Sequence, residues 1–433
     1  MYWKEYLRTL LEGKARRNLL ISMSSLAVSG FVSTALRFFG GIIQGRFIGP
    51  ETLGYYTKFT ILPGYLFFLH LGVFTSLARQ YPYFIGKGEK ETASCYAANA
   101  LGWTHLLCMI HTVIFSILCI WTASHGDLYA TLGWGTQIMV SISSLYMFYL
   151  GSTYRNSNEF VTWSKALVIS SITSVLLLPL VALYHFAGVC ARYAWPNFVS
   201  LIYAHLHRPL KIKPQFNQAL LKKMIIFGAP LMVFAYISTN LWDALTRTYI
   251  LRMVDEKALG IFAFSGMLCT GITVVATSIS QVFHPRIAML YGSSHKDMAI
   301  SFRYCTKCCI FGAALVLPFI GLTYWLIDPV INLFLPKYIE CIPVTRYLCW
   351  LSLVPVIDLP KQLLIVAKKK KEFGISVVIS FLLFVSLLSL FPLLSADITL
   401  EKIAIATTLC KLSSVFIANG FAWRMAWLES RSV

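Results

Sequence analysis

RFIGPETLGYY, residues 46–56, and RMVDEKALGIF, residues 252–262, align without a gap, Arg46 on Arg252 and Gly54 on Gly260. In each, an arginine precedes a Leu-Gly pair at the boundary between two apolar stretches. Each copy is followed by a long apolar span ending at a proline that opens a polar segment, QYPYFIGKGEKE around Pro82 and VFHPRIAMLYGSSHKD around Pro285. The pattern reads as an internal duplication, the kind of architecture in which two halves flank a path across a membrane.

Composition sets the class. Of 433 residues, 57% are hydrophobic and only 13% charged, with a mean hydropathy of +0.68. A soluble domain of this length needs far more polar cover, so the chain belongs in a bilayer. A helical crossing takes about 20 apolar residues, which predicts an all-α polytopic protein of about 12 spans. They fall near 20–43, 59–78, 95–121, 132–153, 162–185 and 188–206, then 220–245, 259–283, 302–327, 341–366, 374–394 and 401–425. The breaks between them are too short for a folded catalytic domain, so an enzyme is not expected.

The segment HRPLKIKPQFNQ suits a linker between two six-helix lobes. The expected organisation is an interfacial helix over 1–18, an N-lobe over 19–206, a linker over 207–219 and a C-lobe over 220–433. An even number of crossings per lobe gives both copies of the repeat the same orientation, so the lobes should be related by a pseudo-two-fold axis along the membrane normal. In the first segment Trp3, Tyr6, Leu7, Leu10 and Leu11 share one helical face and cations the other, as in helices that lie on a membrane surface.

The 37 Lys and Arg against 18 Asp and Glu cluster on the breaks that share a side with both termini, which places those ends in the cytoplasm. The clusters Lys4–Arg17, Arg208–Lys223 and Lys368–Lys371 suit anionic lipid; a nucleic-acid partner is not implied. Eleven cysteines show no framework spacing and read as free thiols. The CxxCC string Cys305, Cys308 and Cys309 lacks a fourth ligand, so no metal site is expected. His105 and His111 lie on different helical faces and suit helix contacts better than a joint ligand set. Pro63, Pro179, Pro230, Pro318 and Pro355 fall within spans, where they should kink the helix.

Ionised groups deep in a span must face protein or a hydrated cavity, because near the bilayer centre each costs about 2.5–3.5 kcal/mol. Arg37 is the clearest, with Ser33, Gly40, Gly41 and Gln44 on or near its face; it either faces a cavity or holds a carbonyl of another helix. Tyr236, Asn240, Asp243 and Arg247 form a second polar line at i, i+4, i+7 and i+11. Asp243 and Arg247 are spaced for an ion pair, which either packs or lines a path. Lys411, Arg192, Asp358 and Lys361 complete the set. Cations outnumber deep acids, so a cavity should be electropositive and its ligand anionic.

The run RFFGGIIQGRFIGPETLGY, Arg37–Tyr55, with FGAPL at Phe227–Leu231, resembles the polysaccharide transporters of the MOP superfamily, in particular the Wzx-type oligosaccharide flippases. Arg37, Arg46, Gly49, Pro50, Gly54 and Tyr55 stand at places matching that family's first-span boundary, with Ile48 where leucine is usual; Arg252 and Gly260 repeat the boundary. In the seventh span the family often carries an Asp-Arg pair, whereas here Thr246 precedes Arg247 and Asp243 sits a turn earlier.

The resemblance implies a flippase that carries an undecaprenyl-pyrophosphate-linked oligosaccharide across a bacterial inner membrane by alternating access, for O-antigen, capsule or exopolysaccharide assembly. The substrate-contacting set would be Arg37, Gln44, Asn240, Asp243, Arg247, Lys411 and Arg192. No cofactor is implied beyond a coupling ion, proton or sodium. The expected partners are the lipid-linked glycan, membrane lipids and polysaccharide-assembly machinery, with the chain itself a monomer. The alternatives are a lipid II flippase, a drug antiporter of the same superfamily or, in another class, a membrane glycan polymerase or ligase.

Overall fold

The protein is described by a computed structural model covering residues 14–293, 297–367, 369–394 and 398–430; residues 1–13 of the expected interfacial helix and Lys368 of the basic run lie outside it. Its regular structure is helical, with no strand among the described residues. That follows from the solvent: hydrocarbon offers the backbone no partner, so each apolar segment must satisfy its own amides. Among the described residues seven helices are long and apolar enough to cross a membrane, or nine if two bent pairs are each one span, where the sequence leads us to expect about twelve.

The chain divides into two compact units, Met1–Gly40 with Leu66–Val233, and Gly41–Tyr65 with Phe234–Val433. Helix α1 (Lys14–Phe47) contributes to both. The short helices α2 (Pro50–Phe59) and α3 (Ile61–Leu66) lie at the start of the second unit's share of the chain, and α4 (Val73–Gly86) returns to the first. Pro50 opens α2, where its missing N–H costs nothing.

The first unit continues with α5 (Lys90–Ser124), α6 (Leu128–Asn156), α7 (Phe160–Leu176) and α8 (Leu178–Leu206). Asn158 takes a positive φ in the turn between α6 and α7. Pro179 sits in the first turn of α8, and the pair α7–α8 is bent by 79°. A second irregularity at His185, with φ 45° and ψ −109°, interrupts α8 close to the break expected near residue 186. The helices flanking it run antiparallel: Ser200 donates to the Ala166 carbonyl, Arg192 to that of Ser174, and Gly188 lies against the backbone of Leu180.

The presumed linker is packed. Leu210 and Ile212 contact the first unit's core of Phe74, Leu77, Leu107, Tyr149 and Tyr154, while Lys211 and Lys213 alternate outward. Gln215 N–H bonds to the Ala98 carbonyl at 3.0 Å, and Asn99 both accepts from Asn217 N–H at 2.8 Å and donates to its carbonyl at 3.3 Å. Gly102 makes room: a Cβ there would strike the Gln215 carbonyl oxygen. Helix α9 (Gln218–Tyr236) then leaves this unit at Val233.

The second unit holds both copies of the repeat. It adds a π-turn at Ile237–Leu241, α10 (Trp242–Met253), α11 (Glu256–Ser293), α12 (Met298–Phe334), α13 (Cys341–Leu348), α14 (Val354–Ile357), α15 (Leu359–Val366), α16 (Lys370–Leu394) and α17 (Leu400–Ser430). The repeat copies pack on one another. A Cβ on Gly54 would collide with the Glu256 carbonyl, and one on Gly260 with the Pro50 carbonyl. Since Pro50 and Glu256 occupy equivalent positions in the two copies, as do Gly54 and Gly260, these contacts are reciprocal. Glycine permits this approach of backbones, as small residues do in membrane helix pairs. Lys58–Glu256 and the Tyr338 hydroxyl on the Ile48 carbonyl flank the crossing.

Candidate functional site: a polar cavity in each unit

In the first unit the guanidinium of Arg37, on α1, donates from Nε to Ser171 and from Nη2 to Ser170, both at 3.3 Å, on α7. It lines a cavity of about 310 Å³ with Ser143, Ser144, Arg155, Trp163, Ser170, Asn197 and Ser200. The α6 contribution follows from helical spacing: Ser143, Met147, Gly151 and Arg155 recur every four residues and so share a face. Arg155 spends its Nε–H on the Gly151 carbonyl at 3.0 Å, which leaves its terminal nitrogens for solvent or ligand. Ser143 is fully buried and its hydroxyl has no hydrogen-bond partner.

Two guanidiniums and no carboxylate stand among the described residues lining this cavity. It therefore attracts anions, and Arg is suited to phosphate by its forked donor geometry. Arg192 plays another part. It is buried, donates from Nε to the Ser174 carbonyl at 3.1 Å, and its Nη2 lies where a Cβ on Gly40 would come within 2.7 Å. Gly40 is thus the gap through which Arg192 fits against α1, outside the cavity lining.

The second unit has a smaller cavity of about 50 Å³, lined by Ser238, Trp242, Asp358, Lys361, Ser376, Ser380, Lys411 and Ser414. The space suits a few waters. Asp358 and Lys361 pair at 3.3 Å with side chains only 14% and 18% exposed. Lys411, on α17, donates to the Ser238 carbonyl and stands 4.3 Å from the centre of the Trp242 ring, a cation–π contact. The four serines spend their hydroxyl protons on helix carbonyls. Two ammoniums face one carboxylate here, and each cation is held by protein.

A π-turn at Ile237–Leu241 falls within the expected polar line of the seventh span, and Tyr236 before it and Arg247 after it both bond to residues 60–65. Tyr236 is buried and bonds the carbonyls of Gly64 and Tyr65 at 3.1 Å. Asn240 lies half-buried within the π-turn. Asp243 and Arg247 form the expected pair at 2.9 Å, with Asp243 55% exposed, and Arg247 also donates to Thr60 at 3.0 Å. Gln44 is buried on α1. The structure thus brings Arg37 into one cavity and Lys411 into another, with neither Asp243 nor Arg247 in the lining of either.

Sequence reasoning passed over Ser143, Ser144, Ser170, Asn197, Ser200, Arg155 and Trp163. The available signal was the density of serine in two spans, SISS at 141–144 and SS at 170–171. Serine in a membrane helix can bond its own backbone, so its presence alone did not mark a cavity. Among the described residues no His, Cys, Asp and Glu cluster could hold a metal ion.

No protein-family model matches the sequence, and no curated protein does so at a significant level. Solved structures match its shape. An inward-facing multidrug resistance transporter of the MATE family superposes with a TM-score of 0.69 at 14% identity, over 92% of this chain and 96% of that one. The lipid II flippase MurJ, in an inward closed conformation, gives 0.68 at 14% identity, over 91% and 86%. A MOP superfamily transporter from Pyrococcus furiosus, described as having a binding pocket of reversed polarity, gives 0.61 at 14% identity, over 94% and 95%. The chain is a multi-pass helical membrane protein with the fold of the MOP superfamily transporters.

Proposed function

We propose that this protein is a flippase for a lipid-linked oligosaccharide carrying a diphosphate, of the undecaprenyl-pyrophosphate kind, in the inner membrane of a bacterium. The observation that carries the reading is the first unit's cavity: two arginines, serines and an asparagine inside an apolar helical body, with no described carboxylate in the lining. A sugar diphosphate cannot cross hydrocarbon unaided, since burying its charge without partners is prohibitive. Charge-assisted bonds from Arg37 would offset that cost.

The substrate's other half is oil. On the opposite face of α7, Ser164, Lys165, Val168 and Ile169 line a separate apolar groove of about 550 Å³ with Val28 and Val32 of α1, a surface on which a hydrocarbon tail is at home. The fold's relatives include a lipid II flippase, and that kinship supports the class of cargo. Transport then proceeds by exposing the cavity alternately to the two sides, with affinity differing between states, because equal affinity would shift no population. The termini lie in the cytoplasm by the distribution of cations, and glycan-assembly enzymes are the natural suppliers and consumers of the cargo.

The test is transport of a fluorescent polyprenyl-diphosphate oligosaccharide in proteoliposomes, beside rescue of glycan export in a strain lacking its own flippase. Arg37→Ala should slow transport about a hundredfold with insertion and thermal stability kept, and Arg37→Lys should retain part of it. Wild-type rates in Arg37→Ala would sink the reading.

A further inference from the structure

The first unit's cavity is long, and its two ends differ. Helices α6 and α7 run antiparallel across the Asn158 turn, so Gly151 meets Trp163, and the Ser143–Ser144 level of α6 meets the Ser170 level of α7. Ser170 is the Arg37 partner. From Trp163 to Ser170 the rise is about 10 Å at 1.5 Å per residue. One end therefore holds Arg37, Ser170 and the orphaned hydroxyl of Ser143; the other holds an indole and Arg155.

The indole is presented as a surface. Gly151 carries no side chain under it: a Cβ there would lie 3.0 Å from Trp163 Cζ2. Tyr154 backs it with ring centroids 5.5 Å apart. Between the ends, Ser200 spends its proton on the Ala166 carbonyl at 2.8 Å and Asn197 gives its amide to the Tyr193 carbonyl at 3.0 Å. Both keep oxygen acceptors for hydroxyl donors. A flat aromatic face beside short polar groups recognises a ring with one apolar and several hydroxylated sides, whereas a site for phosphate alone has no use for it.

We propose, resting on the flippase reading, that this cavity is a two-part subsite for a glycosyl diphosphate: Arg37, Ser143 and Ser170 hold phosphate, and Trp163 stacks on the first sugar attached to it. Trp163 then sets preference for a sugar ring, and the chain discriminates glycosylated carrier lipid from bare carrier lipid at this wall.

Calorimetry on the full chain in lipid nanodiscs decides it, with geranyl diphosphate, geranyl-diphosphate-linked N-acetylglucosamine and UDP-N-acetylglucosamine as probes. In the wild type the sugar should tighten binding of the geranyl probe about tenfold. Trp163→Leu should abolish that gain and keep affinity for geranyl diphosphate within about twofold, which also shows that the variant is folded. Trp163→Phe, retaining an aromatic face, should recover most of the gain. A tenfold gain that survives in Trp163→Leu, or no gain in the wild type, overturns the sugar subsite and leaves the flippase reading standing. If no geranyl probe binds the wild type, the flippase reading fails. If the uridine-linked sugar binds as tightly as the geranyl-linked one, the lipid-linked source fails while the sugar wall stands.

Discussion

The two cavities solve the same problem, cations within apolar helices, in opposite ways. In the second unit's cavity both lining ammoniums are answered from inside: Lys361 by Asp358, Lys411 by a carbonyl and an indole, with the serines turned to their own backbone. In the first unit Arg37 has two neutral serines at 3.3 Å, Arg155 uses one of its donors, and Ser143 has no partner. The orphaned atom differs in kind: in the second cavity it is Asp358 Oδ1, an acceptor beside two ammoniums, and in the first it is the Ser143 hydroxyl, beside two guanidiniums and no described carboxylate. Cations with no described carboxylate beside them mark where an anionic cargo belongs.

Four substitutions would break or sharpen that contrast. Asp358→Ala leaves Lys361 buried and unpaired, so it should lower unfolding stability by about 3–5 kcal/mol, measured as thermal denaturation in detergent; Asp358→Ala with Lys361→Met should restore much of it. A small loss in the single variant would mean the second cavity is hydrated and Lys361 is not held by Asp358. Arg37→Ala should act inversely, slowing transport about a hundredfold, worth about 2.7 kcal/mol, with little change in melting.

Smaller effects are as informative. Ser143→Ala removes a hydroxyl that has no partner, so stability should hold or rise by up to about 1 kcal/mol, while affinity for geranyl diphosphate falls several-fold; a destabilised Ser143→Ala would mean the hydroxyl already has a structural task. Asp243→Asn should matter least. Its pair with Arg247 is half exposed, and such pairs contribute about 0–1 kcal/mol. A transport defect in Asp243→Asn with unchanged melting would move this pair from packing to the path.

The helical class and the repeat were legible because apolar length and residue spacing write them directly. The match of Arg46–Gly54 with Arg252–Gly260 anticipated two equivalent segments, and the backbone contacts at Gly54 and Gly260 show why glycine stands in both. Arg37 was legible too, since a charge in a span demands a polar setting. Which helix supplies that setting was not. A span bathed in lipid is apolar on both its lipid face and its packed face, so periodicity carries little news of orientation. For the same reason Ser143 and Ser144 of α6 gave no sign that they face the cavity.

Local backbone events were equally hidden. The π-turn at Ile237–Leu241 interrupts the expected line between Tyr236 and Asp243, and periodicity gave no sign of it. The expected division put residues 41–65 in the first lobe and 220–233 in the second, whereas contacts group them the other way. The stretch 207–217 has the composition of a free tether, yet a pair of asparagines, Asn99 and Asn217, fastens it to α5. A lone Asn in an apolar helix does not announce which distant amide it meets.

The meeting of Gly54 with Glu256 and of Gly260 with Pro50 ties the size of each copy to that of the other. Where main chain rests on main chain there is no side chain whose trimming could absorb a change opposite, so neither half can enlarge at that point without evicting its twin. The matching pair of glycines is held in place by steric exclusion, and each copy serves as the mould of the other.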